Sequence, residues 1–317
     1  MVHAGLIVRP LAALLLLLIS LSAGAAEPSA VHRSGEQDRP FSRIAVIDWG
    51  LAETVVALGV TPLAVADTAQ YRRWVRQPSL PAGVEDLGLR NQPNLERLSR
   101  LAPDLVLTTT MFAADRERLA RIAPTRTLDI FTADKHPYRQ AIAVTRQIAR
   151  LTGREAAGEA LIERVAQGLA LARDALHGID APLYVVQFSD ARHVRVFGAG
   201  SLIQAALERM GLKNAWQGPT NYWGFANVGI EALAQVPSAR IVVIGPLPRG
   251  SRQALADSQI WQHLPGVRRG EVYCLPPVWT FGALPSLARF TTLLRQALGA
   301  QRTSSTRVDN AKATDNG

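Results

Sequence analysis

Short apolar runs alternate with segments of helical periodicity through the first half of the chain. The apolar runs are typical of buried strands, which we predict at 43–48, 62–67, 84–88, 104–109 and 126–131. We predict helices between these strands at 51–58, 94–101 and 115–122, and a loop that contains Tyr71 and Trp74. Buried strands that alternate with short helices imply a mostly parallel sheet covered on both faces.

The middle of the chain has a different pattern. From about residue 138 to 177 there is no proline, and apolar residues recur at helical spacing. This pattern predicts one long helix of roughly 50–60 Å, which could cross an entire domain. Gly153 and Gly158 each weaken such a helix by about 1 kcal/mol relative to alanine. A helical hairpin broken at Thr152-Gly153 is therefore the alternative.

After this segment the first pattern returns. We predict strands at 183–189, 193–198, 241–245 and 271–275, and helices at 202–210 and 286–298. The fold class is therefore α/β, with two Rossmann-like lobes of mostly parallel sheets joined by a single long helix and a ligand cleft between the lobes. The predicted bounds are 42–135 for the N-terminal lobe, 136–178 for the connecting helix, 182–299 for the C-terminal lobe and 300–317 for a disordered tail.

The first residues have the pattern of an export signal. Arg9 precedes an apolar run at 11–22, and small residues follow at 23–26. We predict a signal peptide over 1–25 and a periplasmic protein; the run is short for the alternative, a membrane anchor. Because Cys274 is the single cysteine, no cysteine at the cleavage site can carry a lipid anchor. The polar segment 27–39 is predicted to be disordered, like the C-terminal tail.

Composition excludes several classes of function. The formal net charge of +9 would ordinarily suggest nucleic acid as a partner. Arginine is spread through the predicted helices, however, and export also argues against nucleic acid. The six histidines show no close pair at metal-ligand spacing, and one cysteine cannot build a thiolate site. We therefore expect no resident metal or cofactor, and no zinc or manganese receptor.

Motifs of catalysis are also missing from the sequence. It contains no nucleophile elbow, phosphate loop or dinucleotide-binding motif. Asp48 could serve as a base, but helix capping is the simpler explanation for an acid at that position.

Large aromatic residues fall in predicted loops. Those of the first half follow strands, and those of the second half precede or follow strands: Trp49, Tyr71, Trp74, Phe112, Tyr222, Trp223, Phe225, Trp279 and Phe281. Packing beneath a loop explains any one of them as well as ligand contact does. As a set that converges from both lobes, they favour a binding cleft.

Arg90 lies in the stretch 88–98, after a short strand and before a helix whose start is marked by Pro93 and Asn94. Its five donors could point at the carboxyl edge of the sheet, where open α/β folds bind ligands. An ordinary surface ion pair is the alternative.

Several short motifs occur together in this chain: Asp48-Trp49-Gly50, Ala66-Asp67-Thr68, Tyr71-Arg72-Arg73-Trp74, Gly88-Leu89-Arg90, Pro93-Asn94-Leu95-Glu96, Asn214-Ala215-Trp216-Gln217-Gly218, Thr220-Asn221-Tyr222-Trp223-Gly224 and Pro277-Val278-Trp279. With them the chain resembles the FhuD-like periplasmic iron(III)-hydroxamate siderophore-binding proteins, two-lobed proteins joined by one long helix. The resemblance extends from Ile44 to about Gly299.

The resemblance implies a non-enzymatic monomer that captures a ferric hydroxamate siderophore and delivers it to an inner-membrane ABC permease. Iron would enter only as part of the siderophore, with Arg90 donating hydrogen bonds to the hydroxamate oxygens. The implied apolar walls are Trp49, Trp74, Trp223, Trp279 and Phe281, and we count Tyr71, Phe112 and Phe225 with them as ligand-binding candidates. Glu117 and Glu231, one in each lobe, would dock on arginines of the permease, although a solvated acid at a helix start is an equal alternative for each.

The chain departs from this family at four positions. Familiar members have tyrosine in place of Phe112 and Phe281, tryptophan in place of Thr108, and serine in place of Phe225. We therefore expect a pocket of altered shape and lower polarity. Another iron chelate, haem or a corrinoid is the alternative ligand, and an exported α/β enzyme that uses a cleft acid such as Asp48 is the alternative class.

Overall fold

The computed structural model describes residues 39–314, and the side chains of residues 39–300. The predicted signal peptide and nearly all of the N-terminal polar segment lie outside this range. Within it, no helix is sufficiently long and apolar to cross a membrane.

The first half forms a five-stranded sheet in the order β3-β2-β1-β4-β5, in which every pairing is parallel. Its strands are β1 Ile44–Val46, β2 Ala64–Val65, β3 Glu85–Asp86, β4 Leu105–Thr108 and β5 Thr125–Thr127. All five predicted strands are present, but each is shorter than the sequence suggests. The last one ends at Thr127, so residues 128–131 are free to form a loop beyond the sheet.

Helices cover both faces of this sheet. They are α1 Trp49–Ala57, α2 Thr68–Trp74, α3 Leu95–Leu101 and α4 Arg116–Ala120, with a 3-10 helix at Thr110–Asp115. Both faces of β1 are buried: Ile44 and Val46 join one hydrophobic cluster, and Ala45 joins another beneath α3 and α4. Burial on both faces explains why the strand is an unbroken apolar run.

The predicted loop around Tyr71 and Trp74 is instead a helix, α2. Asp67 caps its N-terminus, with Oδ1 accepting a hydrogen bond from the Gln70 amide. Tyr71 is fully buried on its inner face. The cap and the buried tyrosine together stabilise a helix too short to show clear periodicity in the sequence.

The single long helix predicted over 136–178 is wrong, and the chain follows the alternative. It forms α5 Pro137–Thr152 and α6 Glu155–Ala175, and Gly153 between them has the left-handed φ of +62°. Arg146 Nε lies 2.7 Å from Glu159 Oε1 across the break, whereas 13 residues of continuous helix would span about 20 Å. Glycine adopts this backbone conformation without steric cost, so the helix ends there.

The second half forms a sheet in the order β10-β9-β6-β7-β8. Its strands are β6 Leu183–Phe188, β7 His193–Phe197, β8 Phe225–Gly229, β9 Arg240–Ile244 and β10 Val272–Leu275. β10, β9 and β6 pair in parallel, while β7 and β8 are antiparallel additions at one edge. Phe225, which the sequence places in a loop, is the first residue of β8. Two mostly parallel sheets with helices on their faces confirm the predicted α/β class.

Helices of the second half are α7 Leu202–Arg209, α8 Ser251–Ala256, α9 Gln259–His263, α10 Pro265–Arg268 and α11 Leu284–Thr314, with a 3-10 helix at Ile230–Ala234. α11 contacts α6 and α1, so it joins the second half to the first. It begins close to its predicted start and continues through the segment for which the sequence predicts disorder.

Candidate ligand-binding site

A cavity of about 510 Å³ is lined by residues of both halves. The first half contributes residues that follow the carboxyl ends of its strands: Asp48, Arg90, Thr109, Thr110, Met111, Asp129, Ile130 and Phe131. The second half contributes one charged residue and several aromatic ones: Arg195, Tyr222, Trp223, Phe225, Trp279 and Phe281. The carboxyl edge of a parallel sheet is where open α/β folds bind ligands.

Arg90 is held at the cavity by a turn. The Leu89 carbonyl accepts a hydrogen bond of 3.1 Å from the Gln92 amide. The preceding Gly88 has a left-handed φ of +74°, and its amide donates to Asp86 Oδ1 at 2.7 Å. The turn thus fixes the backbone from which the Arg90 side chain enters the cavity.

The Arg90 guanidinium lies on aromatic rings and forms no ion pair within the described residues. Its Cζ is 3.7 Å from the centroid of the Trp49 ring and 5.2 Å from that of Trp279, which places it in cation–π contact with both. Burial lowers the pKa of Arg90, opposed by the negative charges of Asp48 and Asp67, yet an arginine stays protonated in such surroundings. The surface ion pair considered for Arg90 is not what the structure shows.

Trp49 packs against the Arg90 guanidinium. It is only 2% exposed, and its Nε1 donates to the Ala66 carbonyl at 2.9 Å. Its ring centroid is 4.9 Å from that of Trp279. Because Trp49 is covered in this way, it positions Arg90 rather than lining the cavity itself.

Aromatic rings of the second half form a continuous wall. Ring centroids are 5.3 Å apart for Trp279 and Phe281, 5.6 Å for Phe281 and Phe225, and 6.4 Å for Phe225 and Trp223. Phe131 of the first half meets Phe281 at 6.2 Å, and the Tyr222 hydroxyl donates to the Phe131 carbonyl. The structure therefore brings the predicted residues Trp223, Phe225, Trp279 and Phe281 to the same cavity as Arg90.

Three further predicted ligand contacts are, like Trp49, not among the residues that line the cavity. Tyr71 is fully buried, its hydroxyl donates to the Pro78 carbonyl at 2.8 Å, and burial raises its pKa. Trp74 packs against the core and donates to Gln70 Oε1. Phe112 is 6% exposed within the cluster beneath the sheet, although its ring centroid lies 6.0 Å from the Arg90 Cζ. An aromatic residue in a loop has the same sequence pattern whether its side chain is buried in the core or lines a cleft.

Arg195 is a site residue that the sequence pattern did not predict. It lies in β7 between Val194 and Val196, both fully buried. Because side chains alternate across a strand, the Val-Arg-Val pattern indicates that Arg195 lies on the opposite face from its neighbours. The pattern does not show that this face of the strand contacts the first half of the molecule.

The two acids that line the cavity are engaged in local hydrogen bonds. Asp48 Oδ1 accepts from the Gly50 and Leu51 amides at 2.8 and 3.2 Å, so it caps α1. Burial raises the pKa of Asp48, against the opposing effect of the Arg90 charge. Asp129 Oδ1 accepts from the Thr110 amide and hydroxyl at 2.8 and 3.0 Å. Capping, the simpler explanation for Asp48, is the one the structure supports.

The described residues contain no group of three or more histidine, cysteine, aspartate or glutamate side chains that could hold a metal ion.

Glu117 and Glu231 are both exposed on the surface. Glu117 lies in the first turn of α4, and Glu231 in the first turn of the 3-10 helix Ile230–Ala234. One belongs to each half of the molecule, as the sequence suggests.

Comparisons with known proteins place the chain in a family. The periplasmic binding protein family matches residues 44–278. The iron(3+)-hydroxamate-binding protein FhuD of Escherichia coli (strain K12) is 35% identical over 261 residues, which cover 82% of this chain and 88% of that protein. The achromobactin-binding periplasmic protein of Dickeya dadantii (strain 3937) is 26% identical, over 73% of this chain and 77% of that protein.

A solved structure is similar as well. The siderophore-binding protein FhuD from Vibrio cholerae, bound to Fe3+-Desferal, aligns with a TM-score of 0.76 and 29% identity, covering 82% of this chain and 98% of that one. These matches rule out the alternative of an exported enzyme. The chain belongs to the periplasmic binding protein family, whose members serve ABC transporters as substrate-binding proteins and are not enzymes.

Proposed function

We propose that this protein captures ferric hydroxamate siderophores in the periplasm and delivers them to an inner-membrane ABC permease. One observation carries the proposal: Arg90, which has no ion partner among the described residues, lies over the Trp49 ring in a cavity walled by aromatic rings from both halves. The 35% identity to the FhuD of E. coli supports the same ligand class.

The chemistry of a ferric hydroxamate suits such a cavity. The chelator occupies the coordination sphere of the iron, so the protein needs no metal ligands of its own. Hydroxamate oxygens around the metal carry partial negative charge and accept hydrogen bonds, which the guanidinium of Arg90 can donate. The carbon backbone of the chelator packs against the aromatic wall.

Intrinsic fluorescence tests the ligand class. Ferrichrome or ferrioxamine should quench tryptophan emission, because Trp223 and Trp279 line the cavity. A Trp223→Phe change should reduce the quenching more than Trp261→Phe does, since Trp261 packs against Phe188 in a separate cluster. Quenching by haem or cobalamin, with none by any hydroxamate, would replace the proposal with the alternative ligands.

Arg90 is tested by substitution. Arg90→Gln removes the charge and several of the donors, and should weaken ferric hydroxamate binding by about tenfold to a hundredfold, the range for a hydrogen bond to a charged group. Arg100→Gln is the matched control, because Arg100 is an exposed arginine paired with Glu96 at 3.2 Å. Equal affinities of both variants and the unmodified protein would remove Arg90 from the site.

We also propose that Glu117 and Glu231 dock on the permease. Both are exposed acids, one in each half, so a two-fold arrangement of basic residues on the permease could meet them. The double variant Glu117→Gln with Glu231→Gln should bind ferric hydroxamates like the unmodified protein but fail to stimulate the ATPase activity of the transporter. Full stimulation by the double variant would refute their role in docking.

Export is part of the same proposal. The predicted signal peptide over 1–25 and the lack of a cysteine beside its end favour release into the periplasm without a lipid anchor, and we propose that the released protein is a monomer. N-terminal sequencing of periplasmic material should find a start just after residue 25 or 26. Recovery of the uncleaved chain in the membrane fraction would contradict this.

A further inference from the structure

Arg195 is a second arginine in the cavity, contributed by the other half of the molecule. Its Cζ is 5.4 Å from the centroid of the Phe225 ring and 5.9 Å from that of Phe281. The aromatic faces thus hold the guanidinium while its N–H edges stay available to acceptors.

The charge of Arg195 is not compensated by a neighbour. Among the described residues no carboxylate lies within ion-pair distance of its guanidinium, and no side-chain hydrogen bond is formed. Its cross-strand neighbours, Gln187 on β6 and Asn227 on β8, are uncharged. A half-buried guanidinium without an ion partner is costly, because burial disfavours a charge that no carboxylate offsets.

The acids of the cavity do not form an ion pair with Arg195. Asp48 and Asp129 both belong to the first half, where each accepts two local hydrogen bonds through a single oxygen. Arg90, also in the first half, is the arginine that feels the charge of Asp48. Among the residues that line the cavity, the second half therefore contributes a positive charge and no carboxylate.

We infer that Arg195 is a second ligand-binding residue, which selects ferric hydroxamates that carry a negatively charged group at their periphery and turns that group toward the second half. The inference rests on the proposed function and names the substrate class more narrowly. Three hydroxamates cancel the charge of iron(III), so the chelate centre is neutral and leaves Arg195 unsatisfied. A carboxylate on the chelator would form charge-assisted hydrogen bonds with it, which are stronger than neutral ones.

The test uses three ligands that share one trishydroxamate centre and differ in the charge of the terminal group. Ferrioxamine B carries a free ammonium group, its N-acetyl derivative is neutral, and its N-succinyl derivative ends in a carboxylate. The unmodified protein should bind the anionic chelate about tenfold more tightly than the neutral one, and the cationic chelate less tightly than either.

Two variants distinguish direct contact between Arg195 and the ligand from an effect of the net charge of the protein. Arg195→Gln should abolish the tenfold preference and leave the affinity for the neutral chelate within about threefold. Arg192→Gln removes the same charge from an exposed position in the turn before β7, and it should keep the preference. Circular dichroism and thermal unfolding of each variant check that the fold is retained.

The outcomes distinguish this inference from the proposed function. Binding of all three chelates with the same ratios in the unmodified protein and Arg195→Gln would overturn the role of Arg195 alone. A loss of the preference in Arg192→Gln would do so too, because it would reduce the effect to net charge. Failure of the unmodified protein to bind any of the three would overturn both proposals.

Discussion

Glu53 offers the sharpest test of how the two halves are joined. This residue of α1 is fully buried, and Oε1 accepts hydrogen bonds from the Ala283 and Ser286 amides at 2.6 and 3.2 Å. Oε2 shares a further hydrogen bond with the Ser286 hydroxyl. A carboxyl group of the first half thus satisfies the N-terminal amides of α11, which otherwise have no helical partner.

Burial raises the pKa of Glu53 from 4.5 to about 8, although the hydrogen bonds with Ser286 and Ala283 lower it. The folded state therefore holds a proton that the unfolded chain releases above pH 4.5. By linkage, this carboxyl group causes the free energy of unfolding to fall as pH rises from 4.5 to 8. The full effect corresponds to about 5 kcal/mol at 1.36 kcal/mol per pKa unit.

Glu53→Gln removes the titration and keeps the hydrogen bonds, since the amide oxygen accepts and the amide nitrogen donates to Ser286. The free energy of unfolding of this variant minus that of the unmodified protein should therefore increase as the pH rises from 5 to 8. Urea unfolding across this range measures it. Glu53→Ala should instead be about 2–5 kcal/mol less stable than Glu53→Gln at every pH, because it leaves buried amides unpaired and opens a cavity.

Glu155→Gln is the matched control for the slope, because Glu155 is an exposed acid in the first turn of α6. It should leave the pH dependence unchanged. A Glu53→Gln variant with the slope of the unmodified protein, or one as unstable as Glu53→Ala at pH 8, would refute the reasoning.

Two further predictions concern stability near the cavity. Gly224→Ala should lower the free energy of unfolding by about 2–4 kcal/mol, because φ is +77° and the added Cβ would lie 2.1 Å from the Ser201 amide nitrogen. Gly59 has the same φ but open space around it. In the same denaturation assay Gly59→Ala should therefore lose only about 1 kcal/mol, the cost of the left-handed backbone conformation. Asn214→Ala should lose about 2–3 kcal/mol, since the Asn214 side chain donates to the Phe197 carbonyl at 2.9 Å and also accepts from a backbone amide. A loss below 0.5 kcal/mol, as expected for the exposed Asn91→Ala, would contradict the importance of these hydrogen bonds.

The order of strands and helices could be read from the sequence because the decisive signal is local. A parallel strand buried on both faces is an unbroken apolar run, as in Ile44–Val46, and few other structures give that pattern. The position of Arg90 followed for the same reason, since turn residues and the Asn94 cap fix where a loop ends and a helix begins.

Features decided by long-range packing could not be read in the same way. A glycine such as Gly153 costs a helix about 1 kcal/mol, which tertiary contacts can outweigh in either direction. Here the contact of Gly158 with Ala149 favours the break, because an added Cβ would lie 2.8 Å from the alanine Cβ. β8 has little apolar alternation of its own and depends on β7 for its pairing. Arg195 reaches the cavity only because two distant surfaces meet.

The stacking of Arg90 on Trp49 has a thermodynamic consequence. A free arginine side chain loses on the order of 0.5–1.5 kcal/mol of conformational entropy when a ligand immobilises it. In this protein the indole ring restricts the guanidinium before any ligand arrives, so folding bears that cost and binding does not. Trp49→Leu should therefore make binding entropically less favourable in calorimetry, although the indole does not line the cavity. Part of the affinity for the chelate therefore depends on a contact, Arg90 on Trp49, that the folded protein has already formed.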